Sequence, residues 1–349
     1  MKNLKKAQQY KIAVVANMSA GKSTFINALF GDSILPAYSL ATTDCPIYIY
    51  SDDDPSNDKA IVEFTDDKPT IELAKEDVPK EIKFYAQKDE DNLEEKYKNV
   101  KKIDLYWDFK VLQNSEKYDI DFVIIDTPGP NNTDKYAFKH SDTTKNIILN
   151  EADMVLYLFD YGQIDANLES NENNLWGLIK QKKEQNPNFE VFFIINKIDM
   201  AFSDNEKIED IKNSSSEEEY YSNIKKYWNY NENIAIEKIK KSAIKYDFKS
   251  PKVFTVSSKF IEYYRNRTNL NFYHLDEIDA FIKLFKNIFK NNFDIEMHKY
   301  LGHMQIEESL KIHLKLEDKI YKPIKINKKR FKKEKDENIC KNRFYDSVL

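Results

Sequence analysis

The hydrophobic pattern of the chain alternates between short continuous apolar runs and amphipathic segments of helix length. From Tyr10 an apolar, β-branched run leads into a turn of small residues and then into apolar residues at helical spacing, which predicts strand, loop and helix. Later runs with the character of buried strands lie at 122–126, 154–160, 191–199 and 252–258. Continuous apolar strands separated by helices indicate a mostly parallel sheet with helices on both faces. We therefore predict an α/β fold.

Further segments surround this repeating pattern. The runs AIVEF and KIDLYWDF predict two strands, with a charged, solvated helix over 84–100 and an exposed acidic turn over 51–59. The segment 203–250 is longer than an ordinary connection and predicts inserted helices. Apolar spacing after residue 270 predicts a closing helix and a projecting C-terminal helical extension. The expected organisation is an N-terminal extension (1–9), a main domain (10–292) with insertions at 51–120 and 203–250, a helical extension (293–321) and a basic tail (322–349).

Composition and charge exclude several classes of function. The longest apolar run is Met154–Phe159, far short of the ~20 residues that span a bilayer, and no apolar core of a signal peptide follows the basic N-terminus. We therefore expect a cytoplasmic protein. Two cysteines and five histidines without ligand spacing argue against a disulfide framework or a zinc site. With 54 basic and 59 acidic residues, the charge balance gives no argument for a nucleic-acid partner.

The segment 16–24, ANMSAGKST, has the pattern of a phosphate-binding loop between a strand and a helix. Successive backbone N–H groups in such a loop point into one concavity, which binds phosphates. We expect Lys22 to reach the β- and γ-phosphates and the Ser23 hydroxyl to ligate Mg²⁺. The pattern expects glycine where this chain has Ala16, a small departure. The predicted nucleotide-binding residues of this loop are Asn17, Met18, Ser19, Ala20, Gly21, Lys22, Ser23 and Thr24.

A second motif, Asp126-Thr127-Pro128-Gly129, follows the run FVII. An aspartate at a strand end can hold Mg²⁺ through water, and the Gly129 N–H can bond the γ-phosphate. At about one hundred residues after the phosphate loop, this turn indicates the second element of a nucleotide triphosphatase.

A third motif, Asn196-Lys197-Ile198-Asp199, follows the buried run VFFII and indicates which base is bound. The Asp199 carboxylate can accept both the N1–H and the N2–H₂ of guanine, and adenine offers no such pair of donors. We expect Asn196 to tie this loop to the phosphate loop and the Lys197 stem to lie over the base. The triplet Ser257, Ser258 and Lys259 fits the last guanine-binding element. Together the motifs predict a GTPase rather than an ATPase, and a fold of the P-loop GTPase type.

The segment after the first helix, FGDSILPAYSLATTDCPIYI, resembles the dynamin family of large GTPases, particularly the bacterial dynamin-like proteins. Leu35-Pro36 and Thr43-Asp44-Cys45-Pro46 fall in register with the Leu-Pro and Thr-Arg-Arg-Pro of that family. The resemblance implies that Thr43 is the switch threonine on Mg²⁺, with Thr42 as the alternative. It covers about residues 8–290, and the two family arginines are absent here.

The resemblance also implies how hydrolysis is activated. Residues 1–264 contain no arginine, so the phosphate loop and switches cannot supply a conventional arginine finger. Dynamins instead use a monovalent cation such as K⁺, held partly by a phosphate-loop serine that Ser19 matches, and complete the site when two G domains dimerise. Met18 stands where the family has a water-positioning glutamine. Either a backbone group or Asn17 replaces it, or turnover is slow.

The residues after 290 are too few for the stalk and membrane-binding tip of dynamins. The resemblance therefore implies a G domain with little or no stalk, either isolated or truncated or one half of a split system with a second dynamin-like chain as partner, and peripheral action at the inner membrane. The tail carries eight Lys or Arg against one Glu between Lys322 and Lys335, which an anionic membrane would attract, or it is simply solvated. The alternative function is a regulatory switch GTPase that binds ribosomes, RNA or the replication machinery.

Overall fold

The computed structural model describes residues 8–16, 20–37, 45–51, 55–86, 94–107, 120–129, 137–169, 175–203, 211, 213–259 and 306. Contacts divide the chain into two units, Met1–Ser309 and Leu310–Leu349, and every described residue belongs to the first. Apart from Ile306, the helices predicted after residue 270 and the basic tail lie outside the described residues.

A single sheet organises the described part of the chain. Its nine strands there are β1 (Gln8–Ala16), β2 (Ile47–Ser51), β3 (Lys59–Phe64), β4 (Ile71–Ala74), β5 (Val100–Trp107), β6 (Ile120–Asp126), β7 (Met154–Asp160), β8 (Glu190–Asn196) and β9 (Lys252–Thr255). Their order in the sheet is β4-β3-β5-β2-β6-β1-β7-β8-β9.

The strand pairing confirms the predicted mostly parallel sheet. From β6 through β1, β7 and β8 to β9, each neighbouring pair is parallel. Strand β2 runs antiparallel to β6 and parallel to β5, while β3 runs antiparallel to both β5 and β4. The antiparallel edge therefore comes from the segment that was predicted to be an insertion at 51–120.

Six α-helices in the described residues connect or flank these strands: α1 (Lys22–Phe30), α2 (Val78–Ala86), α3 (Ala137–Asn146), α4 (Ile164–Glu169), α5 (Leu175–Gln185) and α6 (Glu217–Lys245). Helix α3 continues into a π-helical turn, Ile147–Glu151. No helix in these ranges combines the length and apolar character needed to cross a bilayer.

Alternate residues of the central strands face opposite sides of the sheet, and helices cover both sides. On one face, Trp176 of α5 stacks on Phe193 at 5.1 Å and on Tyr246 at 5.2 Å between ring centroids. Buried residues of α6 such as Ile239 join the same cluster. On the other face, the buried side chains of α1, including Phe25, pack against β1 and β6. The central strands are thus held rigidly between two helical layers.

A polar cluster around Glu151 joins three elements on the first face. The Glu151 carboxylate accepts hydrogen bonds from the Tyr48 hydroxyl at 3.1 and 3.2 Å, the Lys11 ammonium at 3.2 Å and the Asn146 amide at 3.3 Å. Burial, followed by the neighbouring Glu151 charge, raises the pKa of Tyr48 well above its ordinary value, so this hydroxyl stays a donor. The cluster links β2, which follows the predicted first switch, to the end of α3, which follows the 126–129 turn.

Some local expectations were wrong. Within the segment 84–100 that was predicted to be helical, α2 extends only to Ala86 and residues 95–97 form a 3₁₀ turn, while residues 87–93 lie outside the described residues. The apolar face of α2 is carried by Val78, Ile82 and Tyr85, all buried.

The turn at 51–59 is not wholly exposed, because Asp58 is buried and pairs with Lys75 at 2.6 Å. Strands β2 and β4 were not predicted. In the segment 203–250, the predicted helix around IAIEKIKKSAIKY is the second half of the long helix α6.

Candidate functional site

The candidate site lies at the carboxyl edge of the parallel strands. In the strand register, Val14 of β1 is opposite Asp126 of β6, and Asp160 of β7 is opposite Asn196 of β8. Parallel strands all end at the same edge, so the polar residues that follow each apolar run come together there. This is the crevice in which open α/β sheets bind ligands.

The described part of the phosphate loop shows why a glycine occupies position 21. Gly21 has a φ of 76° and forms the N-terminal boundary of α1. A Cβ at this position would lie 2.8 Å from the side-chain nitrogen of Asn196. Both the left-handed backbone and this close approach exclude other residues. Ala20 is buried beside it, while Lys22, Ser23 and Thr24 begin the helix with partly exposed side chains.

Lys22, Ser23 and Asp126 are brought together as predicted for a phosphate and Mg²⁺ site. The Lys22 ammonium forms an ion pair with the Asp126 carboxylate, which is fully buried. The Ser23 hydroxyl lies 3.5 Å from the other oxygen of Asp126. A hydroxyl and a carboxylate oxygen at this spacing are a donor set that fits Mg²⁺, which binds through one or two protein oxygens and takes its other ligands from water and phosphate. The described residues contain no cluster of three or more His, Cys, Asp or Glu that could hold a metal by itself.

The turn after β6 is fixed by Thr127, a residue that the motif analysis gave no role. Its hydroxyl donates to the backbone carbonyl of Val14 at 2.8 Å and so binds the turn to β1. The hydroxyl of Thr144 in α3 donates to the Pro128 carbonyl at 3.2 Å. Gly129, the predicted γ-phosphate contact, therefore follows a turn that is anchored on both sides.

Asn196 joins the phosphate loop to the two loops that were predicted to bind the base. Its amide nitrogen donates to the Ala20 carbonyl at 2.8 Å. Its amide oxygen accepts from the backbone N–H of Lys197 at 2.9 Å and of Ser258 at 3.1 Å. The side chain is 2% exposed, so these bonds form out of water, where each unmade bond would be costly.

Asp199 and Ser257 form the part of the site that was predicted to read guanine. The Ser257 hydroxyl donates to the Asp199 carboxylate, which fixes its orientation. Burial raises the pKa of Asp199 above its ordinary value of 3.8, while the Ser257 hydrogen bond and the charges of Lys259 and Lys197 oppose this rise. Backbone bonds from Val256 to Ile195 at 2.8 Å and from Ile198 to Val256 at 3.2 Å hold the two loops side by side.

Lys197 has a partner that the sequence analysis missed. Its ammonium lies 2.7 Å from the carboxylate of Asp160, at the end of β7. The signal was present in the sequence, because Asp160 ends an apolar run as Asp126 does, but no motif includes it.

Several predicted site residues lie outside the described residues. These are Asn17, Met18 and Ser19 in the phosphate loop, together with Thr43 and its alternative Thr42 in the first switch. The roles assigned to them stay predictions.

Similarity to known proteins agrees with this site. The dynamin family profile matches residues 12–198, which is more than half of the chain. Dynamin-like protein A of Bacillus subtilis (strain 168) is 28% identical over 198 residues, which make up 56% of this chain and 14% of that protein. The chain thus matches only a small part of that relative.

Two solved structures illustrate the range of structural neighbours. One is described as an oligomerised bacterial dynamin pair that provides a mechanism for long-range sensing and tethering of membranes; it is 15% identical with a TM-score of 0.42 and covers 95% of this chain and 55% of that one. The other, Era from Aquifex aeolicus bound to GDP·AlF₄⁻, is 14% identical with a TM-score of 0.30 and covers 79% of this chain and 56% of that one.

The α/β sheet with a phosphate loop at its carboxyl edge is of the P-loop GTPase type. Within that class, the profile match over half of the chain shows that this protein belongs to the dynamin family, whose members are GTPases. The resemblance inferred from the first switch is confirmed.

The raised pKa of Asp199 predicts an unusual pH dependence of stability. Below the ordinary pKa of 3.8, the carboxyl is protonated in both the folded and the unfolded chain, so it costs nothing. Between this value and the higher pKa of the folded state, the folded chain keeps a proton that the unfolded chain has released, so the free energy of unfolding falls as the pH rises. Above the folded pKa, folding must bury an ionised carboxylate. The free energy of unfolding of Asp199→Asn relative to wild type should therefore increase with pH, measured by urea denaturation of the nucleotide-free protein.

Glu219 provides a control of opposite sign. Hydrogen bonds from Ser215 lower the pKa of Glu219 at the start of α6 below its ordinary value of 4.5, so its contribution to stability is present at neutral pH and lost in acid. Relative to wild type, Glu219→Gln should lose stability as the pH rises. If the two variants showed the same trend, the assigned cause of the Asp199 shift would be wrong.

Proposed function

We propose that this protein binds GTP and hydrolyses it to GDP and phosphate, using a site in which Asn196 fixes the distance between a phosphate loop and a guanine-reading carboxylate. The three short hydrogen bonds of the Asn196 side chain are the observation that carries the proposal. A loop that binds only phosphate would not need this connection. A nucleotide requires it, because its base and its phosphates must be bound at a fixed separation.

The described residues of the candidate site have separate roles in this proposal. The backbone N–H groups at the start of α1 and the Lys22 ammonium bind the phosphates, with Ser23 and Asp126 holding Mg²⁺. The metal supplies positive charge to the β- and γ-phosphates when bound. Asp199 accepts two hydrogen bonds from guanine and excludes adenine, which would leave its carboxylate unpaired.

We further propose that the basal hydrolysis is slow and that dimerisation of two G domains accelerates it. The support comes from the family resemblance, in which Ser19 matches the serine that holds a monovalent cation and Met18 replaces the glutamine that positions the water, and from the absence of arginine before residue 265. Family membership supports the same mode of action.

We also propose peripheral action at the cytoplasmic side of a membrane, together with a second dynamin-like chain. It is supported by the basic segment within 322–349 and by the bacterial dynamin pair described as tethering membranes. Lys and Arg residues close to an anionic membrane contribute about 1 kcal/mol each.

Lys22→Ala should weaken GTP binding by about 100-fold or more, because a charge-assisted contact to phosphate is lost from a preformed site. Isothermal titration calorimetry measures this directly, and circular dichroism checks that the variant folds although Asp126 loses its partner. Lys59→Ala serves as the matched control, because it removes an exposed ion pair between Lys59 of β3 and Glu72 of β4. This variant should bind GTP with the affinity of wild type. A GTP affinity of Lys22→Ala equal to that of wild type would overturn the phosphate-loop assignment.

The dimerisation proposal predicts that GTP turnover per molecule rises several-fold with protein concentration and is higher in K⁺ than in Na⁺. Size-exclusion chromatography should show a dimer with GDP and aluminium fluoride but a monomer with GDP alone. Ser19→Ala should abolish the preference for K⁺. A turnover rate unchanged over a wide dilution series would eliminate dimerisation while leaving GTP binding intact.

A further inference from the structure

Asp160 has two partners that hold its carboxylate in one orientation. The residue is 3% exposed at the end of β7. Its first oxygen accepts the backbone N–H of Gly162 at 2.8 Å, and its second lies 2.7 Å from the Lys197 ammonium. Because the turn fixes one oxygen, the other is directed at the lysine.

The turn that orients Asp160 is itself tightly packed. A Cβ on Gly162 would lie 3.0 Å from the terminal methyl carbon of Met200 and 3.4 Å from the first oxygen of Asp160. Met200 belongs to the 3₁₀ segment Ile198–Ser203, which follows Lys197 directly. The carboxylate and the lysine are therefore carried by two loops in mutual contact.

Lys197 needs such an anchor because of its backbone. Its φ of 62° is in the left-handed region, an uncommon conformation for a residue with a side chain. The Asn196 oxygen holds its N–H, and Asp160 holds the other end of its side chain. A long side chain fixed at both ends has already lost the rotamer freedom that a ligand would otherwise have to remove.

We propose that Asp160 is a positioning residue for purine binding: it holds the Lys197 ammonium so that the methylene stem forms a preformed platform for the face of the base. Asp160 does not touch the nucleotide in this arrangement. The inference rests on the proposed guanine-nucleotide site, and it separates two tasks within it. Asp199 reads the edge of the purine, whereas the Asp160–Lys197 pair supports its face.

The test is a double-mutant cycle on the full chain, with GDP affinity measured by calorimetry. Asp160→Asn keeps the shape and an acceptor for Gly162 but removes the charge, and Lys197→Met keeps a flexible apolar stem but removes the ammonium. Each single variant should bind GDP about five- to twentyfold more weakly. The double variant should bind no more weakly than Lys197→Met alone, because both changes remove the same interaction. Additive losses would overturn the proposal.

A comparison of GDP with inosine diphosphate, which lacks the 2-amino group of guanine, distinguishes support of the face of the base from contact with its edge. Asp160→Asn should weaken GDP and inosine diphosphate by the same factor, so that their affinity ratio equals that of wild type. A changed ratio would show that Asp160 acts on the base edge through Asp199 and would contradict the proposal. Asp165→Asn is the matched control, because Asp165 forms a similar ion pair with Lys238 at 2.8 Å but at the surface. The affinity of this variant for GDP should equal that of wild type.

Three further cases separate the role of Asp160 from the proposed function. If Asp160→Asn alone does not fold, a double variant that folds and binds GDP like Lys197→Met supports the pair, whereas a double variant that also fails shows that Asp160 serves only the Gly162 turn. If wild type binds no GDP, the proposed function fails. If wild type binds GDP and Asp160→Asn binds it equally well, only the role of Asp160 is wrong.

Discussion

The site depends on the hydrogen bonds of one buried amide, that of Asn196. A side-chain amide offers both donors and acceptors, and here the donor side binds the phosphate loop while the acceptor side binds the N–H groups of Lys197 and Ser258. Three segments that are far apart in sequence, 20–21, 196–199 and 257–259, thereby become one surface. Neither an aspartate nor a hydrophobic residue could make this set of bonds, and Gly21 leaves the space that the amide occupies.

The same edge of the sheet concentrates charge in a pattern that follows from the parallel strands. Asp126 and Asp160 end β6 and β7 and are almost completely buried. Asp126 pairs with Lys22 at the start of α1, and Asp160 pairs with Lys197 in the loop after β8. A buried carboxylate is strongly destabilising unless it is paired, so these lysines stabilise the fold in addition to their roles in the proposed chemistry. Asp199 differs, because burial raises its pKa, and the Ser257 hydrogen bond and the charges of Lys259 and Lys197 oppose this rise.

The sequence allowed the central architecture and most of the described site to be predicted, and the reason is physical. Buried parallel strands are continuous apolar runs, and the polar residues that end them must meet at one edge, so Lys22, Asp126, Asn196 and Asp199 could be placed together without coordinates. Strands β2 and β4 and helix α2 were not assigned, because each is a short segment that is stabilised by packing on its neighbours in space: β2 on β5 and β6, β4 on β3, and α2 on β3 and β5. Asp160 and Thr127 were missed because their roles depend on which strands are neighbours, which spacing along the chain does not show.

The most direct test of the central claim is hydrogen–deuterium exchange on Asn196→Ala, with Asn150→Ala in the exposed π-helical turn as control. If the amide unites the site, exchange should accelerate together in the first turn of α1 and in residues 256–259, and GDP affinity should fall by about tenfold or more. Exchange in β3 and β5 should not change. Faster exchange in only one of the two segments, with GDP binding intact, would contradict the account.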